Sequence, residues 1–163
     1  MMIKTLIIGS RSNLSKHLHK SIPNAELISS NDILTNKLSL STYFNNNELQ
    51  IIINSFYPAS KLNYYLEPMK YITESIYILS YILEQIKLVP SGKVRKIIYT
   101  SSASVYGNNN YCKESDILMP LNLQGSLKVS SEKLLECFCN EMEIDYTITR
   151  VFNMYGGDRK STR

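Results

Sequence analysis

The sequence predicts an α/β fold, a parallel sheet with helices on both faces. Short apolar runs rich in β-branched residues recur along the 163-residue chain, at 4–8, 25–29, 50–55 and 96–100. Such runs read as strands buried on both sides. Between them lie segments with helical apolar spacing, and the turns that join them are short and hold Gly, Pro, Ser and Asn. Strand and helix therefore alternate, as they do around a parallel sheet. A chain of this length can bury a sizeable core, and residues 1–163 are assigned to a single domain without repeat or linker.

Residues 4–8 form a compact first strand that ends at Gly9. The turn Gly9-Ser10-Arg11-Ser12-Asn13-Leu14-Ser15 leads into a helical pattern through Leu18. A second strand covers 25–29. The strand at 50–55 follows, ending ahead of the bulky Phe56 and Tyr57. The long segment 62–88 carries Tyr71, Ile72, Ser75, Ile76, Leu79 and Ile82 at helical spacing. Pro68 stands in its first turns or breaks it in two. Its many tyrosines are read as packing. Pro90-Ser91-Gly92 closes that helix and leads to the strand from Lys96. A further helix covers 123–140, where Leu127, Leu134, Leu135 and Phe138 are expected to share a face. On it Lys128 and Glu132 make an i,i+4 pair, which by itself describes a solvated lysine balanced by its neighbour. Residues 145–150 alternate as a last strand.

Composition excludes several classes. A net charge of +4 is mild, and the 18 basic residues are scattered without a run or stripe, so neither nucleic acid nor a membrane surface is an expected partner. No apolar stretch is long enough to span a bilayer, and no signal-peptide layout stands at the start. Cys112, Cys137 and Cys139 are an odd count in a chain without secretory features, which suits reduced thiols and a cytoplasmic location. Cys137 and Cys139, two apart, diverge around a helix, so no metal site is expected.

The most informative stretch begins at Lys96. Lys96-Ile97-Ile98-Tyr99-Thr100 breaks into Ser101-Ser102-Ala103-Ser104-Val105-Tyr106-Gly107, small hydroxyls and a glycine at the point where a strand leaves the sheet. Open α/β sheets hold their ligands at the carboxyl ends of such strands, although a Ser-rich turn alone has the same composition. Further on, Pro120-Leu121-Asn122-Leu123-Gln124-Gly125-Ser126-Leu127-Lys128 precedes Glu132. Together these segments resemble the extended short-chain dehydrogenase/reductase family, the NAD(P)-dependent epimerases and dehydratases of nucleotide sugars. That family reads Ser-Ser-x-x-Val-Tyr-Gly, then Pro-x-Ser-x-Tyr-x-x-x-Lys with a Glu four residues later. Where it has its catalytic tyrosine, this chain has Gln124. Arg150, Asn153, Tyr155 and Gly156 similarly resemble its Arg-x-x-Asn-x-Tyr-Gly.

The resemblance implies a Rossmann-like, doubly wound sheet, and NAD or NADP as cofactor. It implies a nucleotide-sugar substrate, work in surface polysaccharide synthesis, and a homodimer through the helix after Tyr65 and the helix from Leu123. It further implies that the chain is the cofactor-binding part, with the substrate-binding part truncated or absent. Ser102, Lys128 and Gln124 fall at the catalytic positions, and Ser102 and Asn153 at substrate positions. Gly9, Arg11, Ser12, Asn13, Leu14, Asp32, Ser101 and Lys128 fall at cofactor positions. The family's Gly-x-x-Gly-x-x-Gly turn, which seats pyrophosphate on a helix amino terminus, reads Gly9, Ser12 and Ser15 here. A Cβ at Ser12 intrudes where backbone approaches phosphate, while its hydroxyl or Arg11 can donate instead. The second strand ends in Ser29-Ser30 rather than an acid, and Arg11 with Ser29 could accept a 2′-phosphate, a tilt towards NADP. Asn31-Asp32-Ile33-Leu34 resembles the family's short third strand.

An amide does not titrate, so Gln124 can orient an oxygen but cannot exchange its proton. General acid–base assistance is worth typically ~10²–10⁴ in rate. Tyr106 and Tyr155 are the nearest other phenols in sequence. Ala103 and Ser104 replace the Asp-Glu pair of the family's 4,6-dehydratases, which disfavours water elimination. Two function classes follow: an epimerase or reductase with an altered active site, or a non-catalytic relative that serves as a binding or assembly module and holds no cofactor.

Overall fold

The apolar runs become five strands: β1 (Ile3–Ile8), β2 (Ala25–Ile28), β3 (Glu48–Ile53), β4 (Val94–Ser102) and β5 (Asp145–Val151). The computed structural model describes residues 3–43, 47–54 and 67–152. All strand pairs are parallel, in one sheet ordered β2-β1-β3-β4-β5. The register sets Ile8 beside Ile28 and Ile53, so the carboxyl ends of the three strands lie side by side. The helices are α1 (Asn13–Ser21), α2 (Ser30–Leu34), α3 (Pro68–Lys87) and α4 (Leu123–Glu141).

Consecutive residues of a strand point to opposite faces, and Leu6, Ile7 and Ile8 are all fully buried. Both faces of the sheet are therefore covered. Leu6, Ile8, Ile51, Ile53, Ile97 and Tyr99 share one core with Ile33, Ile78, Leu79, Ile82, Ile86 and Leu135, so α2, α3 and α4 lie on that face. The step from β1 to β2 runs the other way across the sheet. A right-handed crossover then puts α1 on the opposite face, above Ile7 and Ile52. The order reverses between β1 and β3, the switch point at which open α/β sheets form a ligand crevice.

Three expectations change. Residues 31–34 are not a strand but part of α2. Ser29 caps that helix, its hydroxyl accepting from the Asn31 N–H at 3.2 Å. Ser, Asn and Asp suit a helix start better than a pleated strand. Leu134 is 48% exposed, whereas Leu127, Leu135 and Cys139 are buried. The stripe facing the sheet also holds Lys128, Ser131 and Glu132, all buried, so the solvated-lysine alternative is overturned. Of the two placements expected for Pro68 the first holds: it opens α3, where its missing N–H costs nothing. Residues 55–66, including Phe56, Tyr57 and Tyr65, lie outside the described residues.

Candidate functional site

The crevice at the switch point begins with Gly9, whose φ of 110° favours glycine. The N–H groups of Gly9 and Ser10 both donate to the Ile28 carbonyl, at 2.9 and 3.1 Å, fastening the turn to the end of β2. Ser12 is the N-cap residue of α1, yet its side chain does not cap the helix. Its hydroxyl instead accepts from Asn54 Nδ2 at 2.9 Å, and the buried Ser15 hydroxyl accepts from the same nitrogen at 2.8 Å. An amide NH₂ carries two protons, so Asn54, just past β3, serves both serines and ties α1 to the sheet. The first turn of α1 contains no acid. A positive helix end without its own capping side chain suits an anion. Arg11 and Asn13 are exposed at the same end, with Leu14 half-buried.

The end of β2 is arranged differently from the sequence expectation. Asp32 stands within α2 rather than at a strand end, and its main-chain oxygen accepts from the N–H groups of Lys37 and Leu38. The Ser29 hydroxyl is engaged in capping α2.

The second half of the site forms where α4 presses on the 3₁₀ turn Ala103–Tyr106. Gly125 permits this: a Cβ there would stand 2.6 Å from the Ser104 carbonyl oxygen and 2.9 Å from Pro120 Cβ. Asn122 caps α4, its side-chain oxygen accepting from the Gly125 N–H at 2.8 Å. The helix thereby carries Gln124 and Lys128, one turn apart, to the carboxyl end of β4. Lys128 is 5% exposed. Its Nζ donates to the Thr100 carbonyl at 2.7 Å and lies 4.6 Å from the centre of the Tyr99 ring. Burial pushes its pKa down to about 7, against the opposing pull of Glu132. The Ser102 hydroxyl accepts from the Ser104 N–H at 3.2 Å and shares a bond with the Ser104 hydroxyl at 3.1 Å. Gln124 is half-buried.

Ser101 faces elsewhere: its hydroxyl donates to Glu132 Oε1. Arg150 donates to both oxygens of that carboxylate, and its Nη1 donates to the Tyr106 hydroxyl at 2.9 Å. The Tyr106 ring also stacks on Phe152. The phenol of Tyr99, directly under Lys128, is pushed by burial well above the ordinary tyrosine range, which disqualifies it as a proton carrier near neutral pH. Asn153 and Tyr155 lie outside the described residues.

The structure thus brings Ser102, Gln124 and Lys128 around the end of β4, and Gly9, Ser12, Asn13 and Leu14 around the start of α1. Sequence reasoning missed Asn54 and the partner of Glu132. The signal for Asn54 was a lone amide closing an apolar strand; Arg150 was visible as the start of the Arg-x-x-Asn-x-Tyr-Gly pattern, but its pairing with Glu132 is tertiary and left no mark in the sequence. Among the described residues no group of His, Cys, Asp and Glu could hold a metal ion. No helix among them is long and apolar enough to cross a membrane.

A model of the NAD dependent epimerase/dehydratase family matches residues 6–163. No curated protein sequence matches significantly. Among solved structures, the chain is similar to UDP-N-acetylglucosamine 4-epimerase from Methanobrevibacter ruminantium M1, in complex with UDP-N-acetylmuramic acid. That similarity has a TM-score of 0.76 and 21% identity, over 99% of this chain and 59% of the other. UDP-glucuronic acid 4-epimerase from Bacillus cereus, in complex with NAD, gives 0.71 and 21%, over 94% and 57%. RMD from Pseudomonas aeruginosa, complexed with NADPH, gives 0.78 and 19%, over 98% and 57%. At these identities the likeness establishes the fold, and the chain spans less than two thirds of each of these structures.

Proposed function

The chain belongs to the NAD-dependent epimerase/dehydratase family, and from that premise we propose that residues 1–163 are the cofactor-binding domain of a nucleotide-sugar epimerase or reductase with an altered active site. One observation carries the reading: Lys128, buried at the carboxyl end of β4 with its Nζ on the Thr100 carbonyl, one helical turn after Gln124. A buried lysine is costly unless its position is used.

Gly9, Ser12, Asn13 and Leu14 hold the pyrophosphate of NAD(P), with Arg11 at the same helix end. Arg11 also tilts the choice towards NADP, since a guanidinium suits a 2′-phosphate. Lys128 holds the nicotinamide side of the cofactor, and Ser102, Gln124 and Asn153 orient the sugar. When bound, the nicotinamide supplies hydride transfer. This chain's own part in the chemistry is to bind, orient and move a proton, and Gln124 does not perform the last. The activity is expected in surface polysaccharide synthesis, in the cytoplasm. The protein works as a homodimer through α3 and α4, where a groove of about 480 Å³ is lined by Tyr77, Tyr81, Leu83 and Phe138.

A second reading, a binding module without cofactor, is favoured by Ser12 and Ser15, whose hydroxyls are both committed to Asn54. The test between them is Gln124→Tyr in the full-length protein, assayed for NAD(P)-linked turnover of UDP-sugars. A phenol there stands one turn before Lys128, on the same face. We expect a gain of at least about tenfold, within the ~10²–10⁴ available to acid–base assistance, lost again when Lys128→Ala is added. Bound cofactor without any gain would contradict the altered-site reading.

A further inference from the structure

Glu132 follows Lys128 by one turn on the buried face of α4, the spacing at which the two side chains ordinarily pair. Its carboxylate is engaged elsewhere. Arg150, on β5, places Nε 3.3 and 3.2 Å from Oε1 and Oε2, and Nη2 2.9 Å from Oε2. Ser101 adds its hydroxyl to Oε1. Glu132 is 3% exposed, and a buried charge needs both an opposite charge and filled lone pairs. It has both, from one fork and one hydroxyl. The remaining arm of the fork, Nη1, donates to the Tyr106 hydroxyl and, at 3.0 Å, to the Glu114 carbonyl. One side chain therefore joins β5, α4, the turn after β4 and the loop beyond that turn.

We propose that Arg150 is a positioning residue of the candidate site: by holding Glu132 it keeps that carboxylate off Lys128, so that Nζ stays directed at the Thr100 carbonyl and the end of β4. The proposal rests on the reading that Lys128 serves the cofactor. It goes beyond that reading by assigning the orientation of Lys128 to a side chain on another element. Tyr99 from β4 lies under Lys128 and the Glu132 charge from α4 acts on it, while Arg150 from β5 holds Glu132. Glu132 already pulls the lysine towards its charged form. Without Arg150 its full charge turns on Lys128, and the ammonium leaves the carbonyl for the carboxylate.

The experiment is a pH titration of lysine ¹³Cε resonances by NMR, with Lys128 assigned by the signal lost in Lys128→Arg. The parent, Arg150→Gln and Arg150→Lys are compared without ligand, so a failure here and a failure of cofactor binding are seen separately. In Arg150→Gln the Lys128 midpoint is expected to rise by at least about one unit, the low end of what a nearby opposite charge contributes. Arg150→Lys keeps a cation beside Glu132 and returns the midpoint to within about half a unit of the parent, since the charge that opposes the carboxylate is retained. Should Arg150→Gln fail to fold, the double change Arg150→Met with Glu132→Gln removes both charges together, a replacement buried pairs often tolerate. Because the pair is balanced, Lys128 should then titrate close to the parent. An unmoved midpoint in Arg150→Gln overturns the proposal. So does a midpoint in Arg150→Lys as high as in Arg150→Gln, or a large fall in the double variant.

Discussion

Lys128 donates to the main-chain oxygen of Thr100 at 2.7 Å and leaves Glu132, one turn away on the same helix, to Arg150. This relationship places the lysine at the carboxyl edge of the sheet rather than in a surface ion pair, and it has a thermodynamic consequence. Burial lowers the Lys128 pKa from 10.5 to about 7. Between those values the unfolded chain binds a proton that the folded one does not, so this group makes stability rise with pH across that window. Below about 7 both states are protonated and the cost of the buried charge is fully present. Urea unfolding at pH 7 and pH 9 should therefore show a pH-dependent gain in the parent that is smaller in Lys128→Met. Equal gains would show that Lys128 keeps its ordinary proton affinity in the fold.

The phosphate turn yields a second prediction. Ser12 places a Cβ where the family has a hydrogen, and its hydroxyl is spent on Asn54. Ser12→Gly removes the obstruction and leaves Asn54 its bond to Ser15. NADPH affinity is expected to improve about tenfold, roughly 1.4 kcal/mol, by fluorescence titration. A weaker complex would mean that the Ser12 hydroxyl itself binds the phosphate.

Association is the third. Leu134 is 48% exposed on α4, and Leu83 and Phe138 line the groove between α3 and α4. The pair Leu83→Glu and Leu134→Glu puts like charges on the proposed dimer face. Sedimentation equilibrium at micromolar concentration should give a dimer for the parent and a monomer for this variant. A monomeric parent would remove the dimer from the account.

Much of the fold was legible because continuous Ile-rich runs admit few alternatives: the five strands and the helices α3 and α4 follow from apolar periodicity. The short α2 did not. Its five residues are too few for a period, and its cap, Ser29, is local chemistry that competes with a strand ending in serines. The Lys128–Glu132 spacing was visible, but spacing does not say which face of a helix turns inward; that depends on Leu127, Leu135 and Cys139 meeting the sheet. The partner that holds Glu132 is 18 residues further along the chain, and the amide that ties Ser12 to β3 is 42 residues away. Neither contact exists until the sheet has formed.

Lys128 and the Gly9–Ser12 turn are proposed to serve one dinucleotide. The most direct measurement is a fluorescence titration of NADH and NADPH onto the parent and onto Lys128→Ala, with circular dichroism to confirm that both are folded. Saturable binding to the parent is expected, tighter for NADPH. Lys128→Ala should weaken it at least about tenfold, the scale of a charge-assisted hydrogen bond. Saturable binding that Lys128→Ala leaves unchanged, or no binding of either nucleotide to the folded parent, would contradict that proposal.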